Sequence, residues 1–101
     1  MRSKIVLTPK ANIDITEAVK WYNSRKEKLG TRFYSEIKKT FKLLENNPFA
    51  FAVRYDNIRT VPIKNFPYMA HYFSDTNKNI VVIITVLHTS RNHELWNEPN
   101  E

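Results

Sequence analysis

The side chains of this sequence that could carry chemistry concentrate in its second half. An apolar, β-branched run over residues 80–86 is followed closely by His88 and Arg91. Four more candidates precede this run, namely Arg59, Lys64, His71 and Tyr72. Imidazole titrates near neutral pH, and arginine binds phosphate through paired hydrogen bonds. If these six side chains met in one place, they could cleave RNA by general acid–base catalysis.

The same residues also have interpretations that involve no chemistry. His88 ends a buried strand, where its ring could hydrogen-bond the backbone. Arg59 and Lys64 fall on a predicted edge strand, where charges prevent unwanted strand pairing. Arg91 could pair with a carboxylate, an acidic partner or a phosphate. Whether His71 shares a face with His88 depends on the strand register, which the sequence leaves open. We interpret the cluster as mainly structural, with Arg91 as the main exception.

Adjacent aromatic residues in the first half indicate a partner surface. Trp21 and Tyr22 are neighbours in a predicted helix, so one apolar stripe cannot bury both of them. One of the two is therefore expected to be partly exposed and to contact a partner. The residues predicted to bind a target or an inhibitory protein are Arg91, Trp21, Tyr22, Arg59 and Trp96.

The composition argues against a metal or cofactor site. Cysteine is absent, and the three histidines are not spaced with carboxylates as metal ligands are. A single glycine leaves no phosphate-binding glycine loop. We expect no metal and no cofactor.

Length and charge indicate one small basic domain. The 101 residues suit a single domain, 1–101, and 42% hydrophobic residues can form a core. The net charge is +6; residues 1–44 hold 11 Lys/Arg against 4 Asp/Glu, whereas residues 92–101 hold three Glu and no Lys or Arg. A basic surface attracts acidic proteins or nucleic acid. The N-terminal apolar stretch is too short for a signal peptide or a membrane span, so we expect a cytoplasmic protein without membrane contact.

Hydrophobic periodicity predicts two helices after a short first strand. The strand covers residues 3–8, and the helices cover residues 11–30 and 31–48. Gly30 is expected to end the first helix in a left-handed cap, and Thr31 is expected to cap the second. The short connection predicts an antiparallel helical hairpin.

The remaining residues predict a sheet. Strands are expected over residues 58–64, 68–73 and 80–87, with turns at residues 56–57, 65–67 and 75–79. Pro62 indicates that the strand at residues 58–64 lies at an edge of the sheet or contains a bulge. The strand at residues 80–87 is expected to be a buried central strand. Residues 92–98 could form a short helix or tail. The chain is therefore predicted to be an α+β domain, with an N-terminal strand and a helical hairpin packed on a mainly antiparallel sheet of about four strands.

The order of elements and several short words resemble the RelE/ParE superfamily of toxins from type II toxin–antitoxin modules. These words are Leu29-Gly30, NNP at 46–48, FPYMAHY at 66–72 and VLHTSRN at 86–92. The last two are typical of the ParE-like, plasmid-stabilisation branch. The resemblance implies a small basic toxin that a neighbouring antitoxin neutralises by wrapping it with a helix and an extended segment.

The superfamily includes two activities, and three departures favour one of them. RelE-like members cut messenger RNA on the ribosome, whereas ParE-like members inhibit DNA gyrase. Thr60 and Pro62 stand where the ribonucleases tend to have lysines, and Met69 stands where they tend to have an arginine. None of the three can hold a phosphate charge. We therefore expect a ParE-like toxin that inhibits DNA gyrase or replication and is not an enzyme.

Several alternatives remain open at this stage. The first is a RelE-like endoribonuclease with the ribosome and mRNA as partners, using His88, Arg91, Tyr72 and Lys64, with Arg59 and His71 nearby. Another is a degenerate toxin that only binds its antitoxin in a hetero-oligomer on operator DNA. A general nucleic-acid-binding domain is the last, and its binding should depend steeply on salt.

Overall fold

The computed structural model describes residues 2–89, which form two helices and five strands. Helix α1 spans Pro9–Arg25 and helix α2 spans Leu29–Asn46. The Thr8 hydroxyl accepts a hydrogen bond from the backbone N–H of Ala11 at 3.1 Å and caps α1. Pro9 fits the first turn because its missing N–H would have no partner there. The helix therefore begins two residues before its predicted start.

The predicted caps between the helices were wrong. Lys28, not Gly30, adopts the left-handed conformation, with φ 67°, and it precedes α2 without a side-chain cap. Thr31 lies inside α2 and Gly30 is buried in its first turn. A Cβ at position 30 would collide with the carbonyl oxygen of Val19 and lie 2.7 Å from Cγ of Asn23. Glycine is required here by the close approach of the two helices, not by a turn.

The five strands form one sheet in the order β1-β5-β4-β3-β2. The strands are β1 (Lys4–Leu7), β2 (Val53–Tyr55), β3 (Ile58–Pro62), β4 (Tyr68–Asp75) and β5 (Ile80–His88). Strands β1 and β5 pair in parallel, and the other pairs are antiparallel. The predicted α+β class is confirmed, and the short β2 raises the number of strands to five.

Strand β3 is not the edge strand that Pro62 predicted. The chain after α2 folds back as β2, which pairs with Ile58 and Arg59 and takes the edge position. Pro62 lies beyond this pairing, so its missing N–H interrupts no hydrogen bond to β2. Arg59 is therefore inside the sheet, and Lys64 lies in the turn after β3.

Both helices pack on one face of the sheet, which we call the helix face. Ala11, Ile15 and Ala18 of α1 and Phe33, Ile37 and Leu44 of α2 form one buried cluster with sheet residues that include Val61, Ala70, Tyr72, Val81, Ile83 and Val86. Strand β5 lies inside the sheet, between β1 and β4, as its apolar sequence predicted. Four rings add an aromatic cluster with centroids 5.1–6.1 Å apart, those of Tyr22, Phe33, Phe66 and Tyr68.

Candidate functional site

The register of β4 and β5 separates the two histidines of the predicted polar cluster. His88 pairs with Tyr68, which belongs to the buried cluster on the helix face. His71 is three residues further along β4, and neighbouring residues of a strand alternate between faces. His71 therefore points to the opposite face. Two imidazoles on opposite sides of one sheet cannot act together on a single phosphate.

His71 is buried and neutral. Its side chain is fully shielded, at 0% exposure, and its Nδ1 lies 3.0 Å from the Tyr55 hydroxyl. Burial lowers the pKa of His71 to about 4, with a smaller contribution from the positive charge of Arg54. A general acid for a leaving oxygen would have to be protonated near neutral pH, and this imidazole is not.

Tyr72 and Arg59 both hold the loop between α2 and β2. The Tyr72 hydroxyl donates to the Pro48 carbonyl oxygen at 2.9 Å, and burial raises the pKa of Tyr72. Nη1 of Arg59 donates to the Phe51 carbonyl oxygen at 2.6 Å, and its guanidinium lies 5.0 Å from the centre of the Phe49 ring. The two side chains pair across β3 and β4, so they anchor one loop together. Their hydrogen bonds are directed at the protein's own backbone.

His88 lies in a small polar pocket between α1 and the end of β5. The pocket has a volume of about 360 Å³, and its lining includes Lys10, Glu17 and Trp21. The His88 ring packs edge-on against Tyr68, with centroids 5.3 Å apart. Lys64 is exposed in the turn that precedes β4. Of the predicted cluster, the structure brings only Arg59 and Tyr72 together among the described residues. His71 points to the opposite face of the sheet, His88 lies in the pocket beside α1, and Lys64 is in the turn before β4.

The aromatic pair of α1 divides as the sequence predicted. Tyr22 belongs to the aromatic cluster beneath the helices, whereas Trp21 is 44% exposed. The guanidinium of Arg25 lies 4.7 Å from the Trp21 ring centre, a cation–π geometry. Trp21 therefore offers an aromatic edge at the surface beside the polar pocket. The other predicted partner residues, Arg91 and Trp96, lie outside the described residues.

An apolar groove between the outer sides of α1 and α2 was not anticipated from the sequence. This outer groove has a volume of about 440 Å³, and it is lined by Leu7, Asn12, Ile15, Thr16, Val19, Lys20, Thr31, Tyr34, Ile37, Lys38 and Phe41. Tyr34 is 47% exposed, and the Lys38 ammonium lies 5.3 Å from its ring centre. The available signal was Tyr34 beside the core stripe of α2, but periodicity does not show whether such a residue is covered.

Within residues 2–89 we find no group of three or more histidine, aspartate or glutamate side chains that could hold a metal ion. Over the same residues, neither helix is long and apolar enough to cross a membrane.

The fold is that of a small α+β domain with two helices packed on one face of a five-stranded sheet, and comparison with known proteins specifies the family. Residues 5–93 match the model of the ParE toxin of the type II toxin–antitoxin system parDE. The chain belongs to this ParE toxin family. No curated protein sequence matches it significantly.

Solved structures share the fold at low sequence identity. A chain of the chromosomal ParDE toxin–antitoxin system from P. aeruginosa superposes with a TM-score of 0.76 at 16% identity, over 88% of this chain and 98% of that one. A chain of the archaeal RelE–RelB complex from Pyrococcus horikoshii OT3 superposes with a TM-score of 0.56 at 11% identity, over 90% of this chain and 99% of that one. Both likenesses concern the fold alone.

Proposed function

We propose that this ParE-type toxin inhibits DNA gyrase, or another component of replication, in the cytoplasm, and that a cognate antitoxin neutralises it. The observation that carries the choice of target is the division of the polar residues between the two faces of the sheet. His71 faces away from His88 and is neutral, and Arg59 and Tyr72 are bonded to the α2–β2 loop. This geometry supports binding to a target over cleavage of RNA.

The outer groove is the antitoxin site that we propose. Its apolar floor suits the apolar face of an amphipathic helix. Lys20 and Lys38 at its sides, in a half of the chain that holds 11 Lys/Arg against 4 Asp/Glu, favour an acidic partner helix. A toxin bound in this way could also join a toxin–antitoxin assembly on operator DNA.

Target contacts are proposed for a different part of the molecule. Trp21 is exposed beside the polar pocket of His88, so it can contact a target without any rearrangement of the core. Arg91 and Trp96 remain predicted contacts of the same kind. Arg59 and Tyr22 are proposed to support this surface indirectly, because their contacts lie within the domain.

The test is pulse-labelling of DNA and protein synthesis after induction of the toxin alone, together with supercoiling by purified gyrase. We expect DNA synthesis to fall first and supercoiling to be inhibited. Co-expression of the neighbouring antitoxin should restore both, and a Trp21→Ala variant should be weakened in both assays. An early fall in protein synthesis with cleavage of ribosome-bound mRNA would instead establish the RelE-like ribonuclease.

A further inference from the structure

The connection between the two helices carries a dense group of positive charges. Residues 25–32, from the end of α1 through the first turn of α2, hold four Lys/Arg against one Asp/Glu, a local net charge of +3. We call this segment the hairpin tip. Its cations are Arg25, Lys26, Lys28 and Arg32, and all four side chains are exposed. The charge of the tip is therefore presented at the surface.

These charges are not neutralised within the part of the chain that the structure describes. The ion pairs of residues 2–89 are Arg2–Glu45, Lys10–Asp14 and Lys39–Glu36. None of them includes a cation of the hairpin tip, and Glu27 of the tip forms no ion pair with its neighbours. Arg25 lies over the Trp21 ring, which orients the guanidinium and leaves its charge in place. The tip is thus a cationic surface that lacks counter-charges of its own.

The backbone of the hairpin tip is fixed by hydrogen bonds. The backbone N–H of Leu29 donates to the Lys26 carbonyl oxygen at 3.1 Å. That of Arg32 donates to the Lys28 carbonyl oxygen, also at 3.1 Å. These bonds join the end of α1 to the start of α2, so the cations project from ordered backbone. Because their positions are set in advance, less conformational entropy is lost when they meet a ligand.

Lys28 occupies a backbone conformation that disfavours its own residue type. Its φ is 67°, in the left-handed region. The other described residues with positive φ are Asp56, Asn65 and Asn79, whose short polar side chains tolerate this region. Glycine would avoid the strain because it has no Cβ. Strained residues are retained mostly at functional sites, so a lysine at this position indicates a use for its charge.

The surface of the hairpin tip suits a nucleic acid better than an acidic protein. Protein interfaces have an apolar centre and are depleted of lysine. The exposed large apolar side chains found in residues 2–89 all lie outside residues 25–32. None of the tip cations lines the outer groove, the proposed antitoxin site. Exposed Lys and Arg bind phosphates without an apolar centre, because release of counterions drives the association.

We propose that the hairpin tip binds the phosphate backbone of nucleic acid, with Arg25, Lys26, Lys28 and Arg32 as the phosphate contacts. Such contacts do not read bases, so the binding is independent of nucleotide sequence. The outer groove remains available for a helix while the tip is bound. The toxin is thereby concentrated near any partner or target that is itself bound to nucleic acid. The contact does not depend on which target the toxin has.

The first test measures binding of the full-length chain to a short duplex DNA and to a single-stranded RNA of the same length, by fluorescence anisotropy over a range of salt concentrations. Four phosphate contacts predict a slope of log K against log salt of about −3.6 for the duplex and about −2.8 for the single strand. The probe that binds more tightly identifies the source of the backbone as DNA or RNA. Absence of binding to both probes at low salt, or slopes near zero, would overturn the proposal.

The second test locates the contact with the full-length Lys28→Gly variant. Binding should weaken several-fold at low salt, and the slope for duplex DNA should become shallower by about 0.9, since one phosphate contact is lost. The melting temperature should stay the same or rise, because glycine relieves the strain at φ 67°. A loss of binding in this variant therefore does not come from loss of the fold.

Lys78→Ala is the matched control for the loss of one exposed charge. Lys78 is exposed in the turn between β4 and β5. This turn lies near the C-terminal end of α2, because Ser3 bonds both Asn79 and Glu45. The 18 residues of α2 separate it from the hairpin tip by roughly 25 Å. The control variant should keep the affinity and the salt slope of the unsubstituted chain.

Two results would refute the hairpin tip as a nucleic-acid site. Equal losses of affinity in Lys28→Gly and Lys78→Ala would mean that the net charge of the chain, and not the tip, attracts nucleic acid. Polyglutamate is the probe for an acidic protein partner. If it bound as tightly as the nucleic acids and lost affinity in Lys28→Gly by the same factor, the tip would be a site for an acidic protein instead.

Discussion

The carboxylate of Asp14 on α1 accepts a hydrogen bond from the backbone N–H of Val86 on β5, at 3.1 Å, and a second one from the Thr85 hydroxyl. Strand β1 pairs with β5 only as far as Leu7 and Ile83. Beyond that point the edge of β5 meets the first turns of α1, where Thr8 and Asp14 supply the hydrogen bonds that a longer β1 would have made. The start of α1 is thereby joined to the strand that precedes His88.

Substitution of Asp14 by alanine should therefore destabilise the fold by about 1–3 kcal/mol, because a partly buried backbone N–H loses its acceptor. Urea denaturation monitored by circular dichroism measures this change. Lys10→Ala is the matched control, since it removes only the exposed Lys10–Asp14 ion pair, worth about 0–1 kcal/mol. Equal losses in the two variants would mean that the ion pair, and not the strand edge, is what matters.

Substitution of Gly30 by alanine should lower the free energy of unfolding by about 1–3 kcal/mol, because the new Cβ meets the backbone of Val19. The sign of this change in stability is informative, because replacing glycine by alanine inside an unobstructed helix would instead stabilise the helix by about 0.5–1 kcal/mol. Ser35→Ala, at an exposed position of α2, should change stability little. Thermal and urea melts of both variants measure the difference, and a stabilised Gly30→Ala variant would contradict the close packing of the helices.

Replacement of Tyr72 by phenylalanine should cost about 1–2 kcal/mol, because the Pro48 carbonyl oxygen loses its donor. The raised pKa of Tyr72 adds a pH effect. Above pH 10 the unfolded chain ionises this phenol more readily than the folded chain does, so stability falls as pH rises. Denaturation between pH 9 and 11 should show a weaker decline in Tyr72→Phe than in the unsubstituted chain. Parallel declines would show that the phenol does not contribute.

Stability should decrease between pH 6.5 and 4 because of His71. Its folded pKa of about 4 lies below the ordinary value of 6.5, so the unfolded state takes up a proton in this window and the folded state does not. The full loss of stability is about 3 kcal/mol; it accumulates as pH falls from 6.5 to 4, and above pH 6.5 there is no loss. Denaturation curves of His71→Gln provide the comparison, since carboxylates titrate in both proteins. An identical pH slope in the variant would refute the contribution of His71.

Binding of the antitoxin should depend on the outer groove and not on the rest of α2. Tyr34→Ala should weaken binding roughly tenfold or more, about 1.4 kcal/mol or more, since a large aromatic side chain is lost from the groove. Leu43→Ala is the matched control, because Leu43 is on the same helix and 46% exposed but does not line the groove. Calorimetric titration of the two variants with the antitoxin distinguishes them. Equal effects would place the antitoxin elsewhere.

Much of the fold could be predicted because periodicity reports on local structure. The strand at residues 80–87 differs by one residue from Ile80–His88, and both helices were located correctly apart from their ends. The ends were harder, since a cap depends on one or two residues. Gly30 was assigned to a left-handed turn because glycine commonly ends helices, whereas its actual role depends on Val19 and Asn23, which lie in the neighbouring helix.

The sequence by itself determined the order of elements, the apolar central strand, the basic helices and the departures at Thr60, Pro62 and Met69, because all of these are properties of neighbouring residues. Tertiary structure decided which polar side chains meet. Pairing of Tyr68 with His88 sends His71 to the opposite face, and a change of register by one residue would have reversed this. The tertiary structure also decided that the groove between the helices is left uncovered by residues 2–89, because burial of a side chain depends on what packs against it from elsewhere in the chain.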